Sequence, residues 1–374
     1  MSSLDQSLIN RRCALIGRRE YLAMMAGAFA LGAADTRAKG AVGPAGAAAT
    51  AGTVAGAAPT NASSVASAPR ALGLWRTWDE TFAHARYVCL SHVLAPGAPL
   101  WAGFKPNSRF DLAQVKPDEK SAYVPASYDT VGWTSYSVRL ASENWGTHLD
   151  APAHFHPCQT GSDEIPATYA LRKLAVISIL EKVKSNKGYQ MTVDDIHEWE
   201  GRHGEIPAGC VVMIRSDWSK LWDSDPKAYM AEDGQFPGVT LEAVKFLHLK
   251  RHILYHGHEA MDTDTTPTLV SEDWLMSNGF PQAECVANLD QVPETGALIA
   301  FGLPKIKGAV AGMLVLHAIC PADWHFGIVP GEVPESPLPF HDRKLVYDSA
   351  KGVRLRSAVC DRPAGVMSLN KNTP

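Results

Sequence analysis

The alternation of short apolar runs with well-capped helical stretches constrains this chain most. Arg86–Leu90, Lys173–Leu180, Cys210–Arg215, Ile253–Tyr255, Ala297–Phe301 and Met313–Ile319 read as strands from their Val, Ile and Leu content. Thr134–Leu140 adds a half-buried strand, with Tyr136, Val138 and Leu140 on one side and Ser135, Ser137 and Arg139 on the other. Helices fall between the runs. Thr192 caps one, with Asp194 and Asp195 suited to its positive end, and Thr240 caps another, with Leu241, Val244 and Leu247 along one face. A third covers Ser271 to Met276. Strands and helices that interleave without a strict repeat predict an α/β fold, a single mixed-sheet domain with surrounding helices.

The chain has 374 residues, 46% of them hydrophobic and 20% charged, with a net charge of -4, enough apolar material for one sizeable core. No basic stripe suited to nucleic acid is present. Residues 1–39 have the pattern of an export signal: Arg18-Arg19-Glu20-Tyr21-Leu22 precedes the apolar, small-residue run Ala23–Ala34. The paired arginines resemble a twin-arginine signal, which predicts a periplasmic or secreted protein with no stable membrane span after signal removal. A retained N-terminal anchor is the alternative, although the run is short of the ~20 residues a span needs. Residues 40–70, almost wholly Ala, Gly, Ser, Thr and Pro, predict a disordered linker. The folded domain is expected over 71–364 and a loose tail over 365–374. Of the seven cysteines none forms a C-x-x-C pair, and no disulfide partner is singled out.

Chemistry concentrates in Asn144-Trp145-Gly146-Thr147-His148-Leu149-Asp150-Ala151-Pro152-Ala153-His154. His148 and Asp150 lie two apart, so an extended segment sends both side chains off one face, as a strand presenting two ligands to one metal would. A polar loop with incidental histidines is the simpler alternative for any one of them. A second group, His256-Gly257-His258-Glu259 with Asp262 and Asp264, reads either as a metal or substrate site at a strand end or as a polar turn. Glu284 stands out as a carboxylate opening an apolar run, and Glu272 precedes it on a predicted helix. Trp101 and Phe104, in a Gly/Pro-rich loop, either wall a pocket or cap the core. No dinucleotide-binding, P-loop or Gly-x-Ser-x-Gly motif appears, which removes the usual support for those three enzyme classes.

Gly146-Thr147-His148-Leu149-Asp150-Ala151-Pro152-Ala153-His154 resembles the His-x-Gly-Thr-His-x-Asp-x-Pro-x-His signature of the metal-dependent cyclase family, which includes kynurenine formamidases and isatin hydrolases. Leu90-Ser91-His92, Met261-Asp262-Thr263-Asp264 and Glu284 through Asn288-Leu289-Asp290 resemble further blocks of that family, so the likeness spans most of the body. It implies a swivelling β/β/α-like architecture and a homo-oligomer, a dimer or tetramer. It implies a divalent metal, manganese or zinc, held by His148 and Asp150 with Glu284 at a second metal position, and His154 as acid/base. Asn144 and Glu272 stand where the family has histidines, which shifts the ligand set towards oxygen and leaves His258 or Glu259 as a candidate to complete it, or leaves a single metal. The implied reaction is hydrolysis of an amide C–N bond, N-formyl or cyclic, in a small aromatic substrate that Trp101 and Phe104 would cover. The same metal would also serve a lactone hydrolase or a cyclase/dehydratase. A chain that had lost its metal would be an exported binding protein.

Overall fold

The computed structural model describes residues 73–131, 133–330, 344–348 and 353–357. The expected export segment, linker and tail lie outside them. Nine strands make one sheet: β1 Arg86–Cys89, β2 His148–Asp150, β3 Leu171–Ser178, β4 Val211–Arg215, β5 Tyr255–His258, β6 Gln282–Glu284, β7 Leu298–Gly302, β8 Ala311–Met313 and β9 Val315–Cys320. Their order is β1-β9-β7-β3-β4-β5-β6-β2-β8. The run β3-β4-β5-β6 is parallel, and antiparallel pairs flank it on both sides. This is the mixed α/β domain expected.

The parallel centre follows from composition. Val176 and Met213 face one core cluster, while Ala175, Ile177, Val212 and Ile214 face the other. Strands apolar on both faces need cover on both faces, as parallel strands with helical connections have. The second cluster is closed by Ile196 and Trp199 of the helix Val193–His203, Val244 and Leu247 of Leu241–Lys250, and Leu275 of Val270–Ser277. The first of these helices begins where expected. Thr192 accepts from the Asp195 amide while the Asp195 carboxylate accepts from the Thr192 amide at 2.7 Å, a reciprocal cap. Trp199 adds a polar tie, its indole N–H donating to the Val176 carbonyl at 2.9 Å. Each fully buried Ile, Val or Leu here contributes roughly 1.5–3 kcal/mol.

Three expectations need correction. The Thr134–Leu140 pattern yields only Tyr136–Arg139, which pairs with Arg109–Leu112 outside the main sheet and leaves Val138 exposed. Alternation by itself does not supply a layer to pack against. The run Met313–Ile319 is two strands, broken at Leu314, whose amide donates to the Thr147 carbonyl at 2.8 Å. β8 then pairs with β2 and β9 with β7, near opposite ends of the sheet. Finally, His256-Gly257-His258 does not follow the strand but forms most of it, with all of β5 buried. Cys158 is disulfide-bonded, whereas Cys89, Cys210, Cys285 and Cys320 are free. Among the described residues no helix is long and apolar enough to cross a membrane.

Candidate active site

Register builds the site. In the antiparallel β2–β6 pair, Glu284 lies opposite His148 and Gln282 opposite Asp150, so four polar side chains share one buried face. A slip of β6 by one residue would turn Gln282 and Glu284 to the other face and leave His148 and Asp150 behind. His148 Nε2 is 3.3 Å from Asp150 Oδ2 and 3.3 Å from Glu284 Oε2, yet makes no hydrogen bond of good geometry. Ligand atoms of these three residues all lie within 4.8 Å of one another. Asp150 Oδ1 and Glu272 Oε2 are likewise buried without partners.

The surrounding atoms aim this trio. Gly146 has φ +74, which strains any other residue, and a Cβ there would lie 2.3 Å from Leu94 Cδ2 and push that side chain aside. The turn presents the Gly146 carbonyl to His148 Nδ1 at 2.7 Å. A carbonyl only accepts, so Nδ1 carries the proton and Nε2 is free to take a ligand. Glu284 Oε1 accepts from the Gln282 amide at 2.7 Å, which leaves Oε2 towards His148. Gln282 Oε1 in turn accepts from Thr263. Cys285, immediately after, is held at φ +52, a strained conformation for a non-glycine residue, and faces the same cavity.

Charge in this cluster is frustrated. Burial raises the Glu284 pKa well above the usual carboxylate range, and Glu272 and Asp150 nearby push it further. Burial, Asp150 and Asp262 raise Glu272 in the same way. For His148 burial opposes protonation, but the adjacent Asp150 carboxylate prevails and raises its pKa. Burial would raise Asp150, and His148 more than reverses it, so its pKa is lowered. A divalent cation at the convergence point would relieve the carboxylate repulsion and use the unpartnered atoms. The donor set fits such an ion.

The remaining sequence candidates separate. His154, at the end of the short helix Pro152–His154, lines the cavity with its ring packed edge-on against Phe155. Asn144 and Glu272 line it too, although the Asn144 side-chain oxygen already accepts from Ser142. His258 does not reach the cavity. Its Nε2 lies 3.0 Å from Thr263 Oγ1 and 3.5 Å from Glu284 Oε1, so it sits behind Glu284 as a support, and burial lowers its pKa to about 4. Glu259 is also committed elsewhere, accepting from the Ser216 amide and hydroxyl and from the Ser219 hydroxyl at 2.7–2.9 Å. Trp101 and Phe104 wall the opening, joined by Trp145, Phe155, Met261 and Leu269 around a cavity of about 240 Å³. Sequence reasoning misses Gln282, although its place two before Glu284 on a strand marks it as a neighbour on the same face. It also misses Trp145 and Phe155, which carry no signal beyond being aromatic.

A His–carboxylate trio at the base of an aromatic-walled cavity, with a further histidine on its rim, defines a metal-dependent hydrolase. Comparison with known proteins agrees. The Cyclase family model matches residues 88–265. An isatin hydrolase of Roseibium aggregatum is 28% identical over 210 residues, 52% of this chain and 79% of that protein. Isatin hydrolase A from Labrenzia aggregata, solved bound to benzyl benzoate, is 31% identical with a TM-score of 0.55, over 64% of this chain and 94% of that one. Isatin hydrolase A from Ralstonia solanacearum is 29% identical with a TM-score of 0.54, over 68% of this chain and 98% of that one. The chain belongs to the Cyclase family and is a hydrolase acting on carbon–nitrogen bonds.

Proposed function

We propose that this protein opens the amide bond of a small, flat aromatic substrate, a cyclic amide of the isatin kind or an N-formyl arylamine. The observation that carries the reading is the convergence of His148 Nε2, Asp150 and Glu284 beneath a wall of aromatic side chains. An apolar upper cavity desolvates a ring, and a polar floor receives its carbonyl. His148, Asp150 and Glu284 would hold the metal, with Glu272 and the Asn144 amide beside it. When bound, the ion supplies Lewis acidity, polarising the scissile carbonyl and lowering the pKa of water towards about 7. Oxygen donors outnumber nitrogen in this set, which favours manganese over zinc.

His154 has the place of the proton carrier. Its ring reaches the cavity from the residue run that follows the ligand strand, and it would give a proton to the leaving nitrogen as the C–N bond breaks. Positioned acid–base groups contribute about 10²–10⁴ in rate. Replacing His154 with Ala should lower kcat for a cyclic aromatic amide by that factor while metal content stays at wild-type level. Full activity in the variant would end this assignment. A panel of formamides, lactams and lactones separates amide cleavage from lactone hydrolysis or dehydration, and preference for lactones would overturn the amide reading.

Export through residues 1–39 and assembly as a homo-oligomer complete the reading. The Arg18-Arg19 pattern and the disulfide at Cys158 support an oxidising destination, the periplasm or the exterior. A reporter fused behind residues 1–39 that stayed cytoplasmic would refute export, and a monomer by light scattering would refute assembly.

A further inference from the structure

The wall that faces the metal-binding floor is itself a built object. Trp101-Ala102-Gly103-Phe104 is a tight turn closed by the Phe104 amide donating to the Trp101 carbonyl at 2.9 Å. The Trp101 ring folds back over Gly103. A Cβ on residue 103 would lie 1.5 Å from Trp101 Cζ3 and 2.4 Å from both Cε3 and Cη2. Gly103 lies outside the left-handed backbone region, so this turn needs glycine for space and not for backbone freedom. Phe104 meets the indole edge-on, with ring centroids 5.4 Å apart at 60°. The Asp262 carboxylate lines the same cavity, where burial raises its pKa and the neighbouring Trp101 side chain partly offsets that rise. Asp262 follows β5, so the loop after β1 and the loop after β5 meet at this cavity. Trp101 remains 45% exposed, so it forms the rim of the opening and belongs to no core cluster.

We propose that Gly103 and Asp262 are specificity-determining positioning residues, which seat the Trp101 indole as a fixed plane and thereby select flat, ring-fused substrates. The inference rests on the aromatic-amide reading above for its substrate class, but on Gly103, Trp101 and Asp262 alone for its geometry. Neither residue touches the reacting bond. Each acts through Trp101, Gly103 by leaving the space the ring occupies and Asp262 by standing beside the ring at the cavity wall. A displaced indole would still shield the cavity while losing its parallel contact with a bound ring.

The probe is oxindole, a benzo-fused lactam, with its binding followed by calorimetry on metal-free and manganese-loaded protein. Gly103→Ala should weaken oxindole about tenfold in both states, as methyl-sized changes in an apolar pocket do. Metal content and thermal midpoint should match the wild type. Asp262→Leu should weaken it by about fivefold, and Asp262→Asn, which keeps an acceptor oxygen, should recover most of that loss. In a Trp101→Ala background, Gly103→Ala should change affinity less than about twofold, because the clash partner is gone. In turnover of a ring-fused lactam against a monocyclic one, Gly103→Ala should raise KM for the former only.

Undiminished oxindole binding in Gly103→Ala overturns the proposal, as does an equal loss in the Trp101→Ala background. Absence of oxindole binding to the wild type overturns it as well. If oxindole binding follows the expected pattern but no amide is turned over, the seat stands and the amide reading falls. If amides are turned over but Gly103→Ala leaves that turnover unchanged, the amide reading stands and the seat falls.

Discussion

The two halves of the central sheet use one backbone for opposite purposes. Across Leu174–Ile177 of β3 and Val211–Ile214 of β4 the side chains are Leu, Ala, Val, Ile and Met, buried on both faces and closed over by helices. Across β2, β5 and β6 the same pleat carries His148, Asp150, His256, His258, Gln282 and Glu284, buried to the same degree. The first half gains free energy from every residue it removes from water. The second half incurs a desolvation cost for each group and recovers it only through partners. Where partners are complete, as for Glu259 with Ser216 and Ser219, the group is structural. Where partners are missing on several groups that line one cavity, as at His148 Nε2, Asp150 Oδ1 and Glu272 Oε2, the unmet hydrogen-bonding capacity marks the reactive point; His256, also unpartnered, lies outside that cavity.

This contrast can be broken experimentally, most sharply at His148. His148→Ala should abolish stoichiometric metal and lower amide turnover by ~10³ or more, since the ion supplies the activated water. Folding should survive, as judged by far-UV circular dichroism. Retained turnover would show that the polar half is not the catalytic one. In the apolar half, Ile177→Ala should cost about 2–5 kcal/mol in urea unfolding while metal affinity is unchanged. A loss of metal in that variant would mean the halves are coupled.

Gln282→Leu tests the positioning of Glu284. It removes the amide that holds Oε1, and metal affinity should fall about 10–100-fold by competition with a chelator. An unchanged affinity would show that Glu284 needs no such support. The remaining test concerns acid, where His248 by itself is expected to carry about 2 kcal/mol. His248 and His256 are buried with no ring-nitrogen partners, their rings 6.0 Å apart and His258 beside His256. Burial lowers the His248 pKa to about 3 and that of His256 well below its usual value. The unfolded chain, with histidine near 6.5, therefore takes up protons first. Stability is full above that pH and is lost as pH falls towards the folded values. Lowering the pH from 7 to 5 should cost about 2 kcal/mol per such histidine, and His248→Leu should flatten the profile. A wild-type profile flat between pH 7 and 5 would show that these histidines do not carry acid sensitivity.

Much of the fold was legible because its signals are local. Thr192 with Asp195, and Thr240 before Leu241, are caps readable from spacing alone, and both helices begin where those caps place them. Apolar runs rich in Val and Ile became β3 and β4. Legibility failed where the answer depended on a distant partner. Tyr136–Arg139 alternates like a core strand but meets no layer. Met313–Ile319 is continuous in sequence and divided in space, because Thr147 captures the amide of Leu314. His258 carries a ligand's chemistry, yet Thr263 and Glu284 engage it on the side where a ligand atom would be needed.

The sequence by itself determined an α/β domain, the pairing of His148 with Asp150 on one strand face, and the residue types available for a metal. These follow from periods of two and from caps within three residues, distances the chain cannot alter. Only the tertiary structure decided that Glu284 joins them while His258 stands behind, and that Trp101 and Asp262 meet at one cavity. Those outcomes hang on the register of β2 against β6 and on the space between two loops. Register and space come from the packing of residues more than a hundred positions apart, which no local pattern encodes.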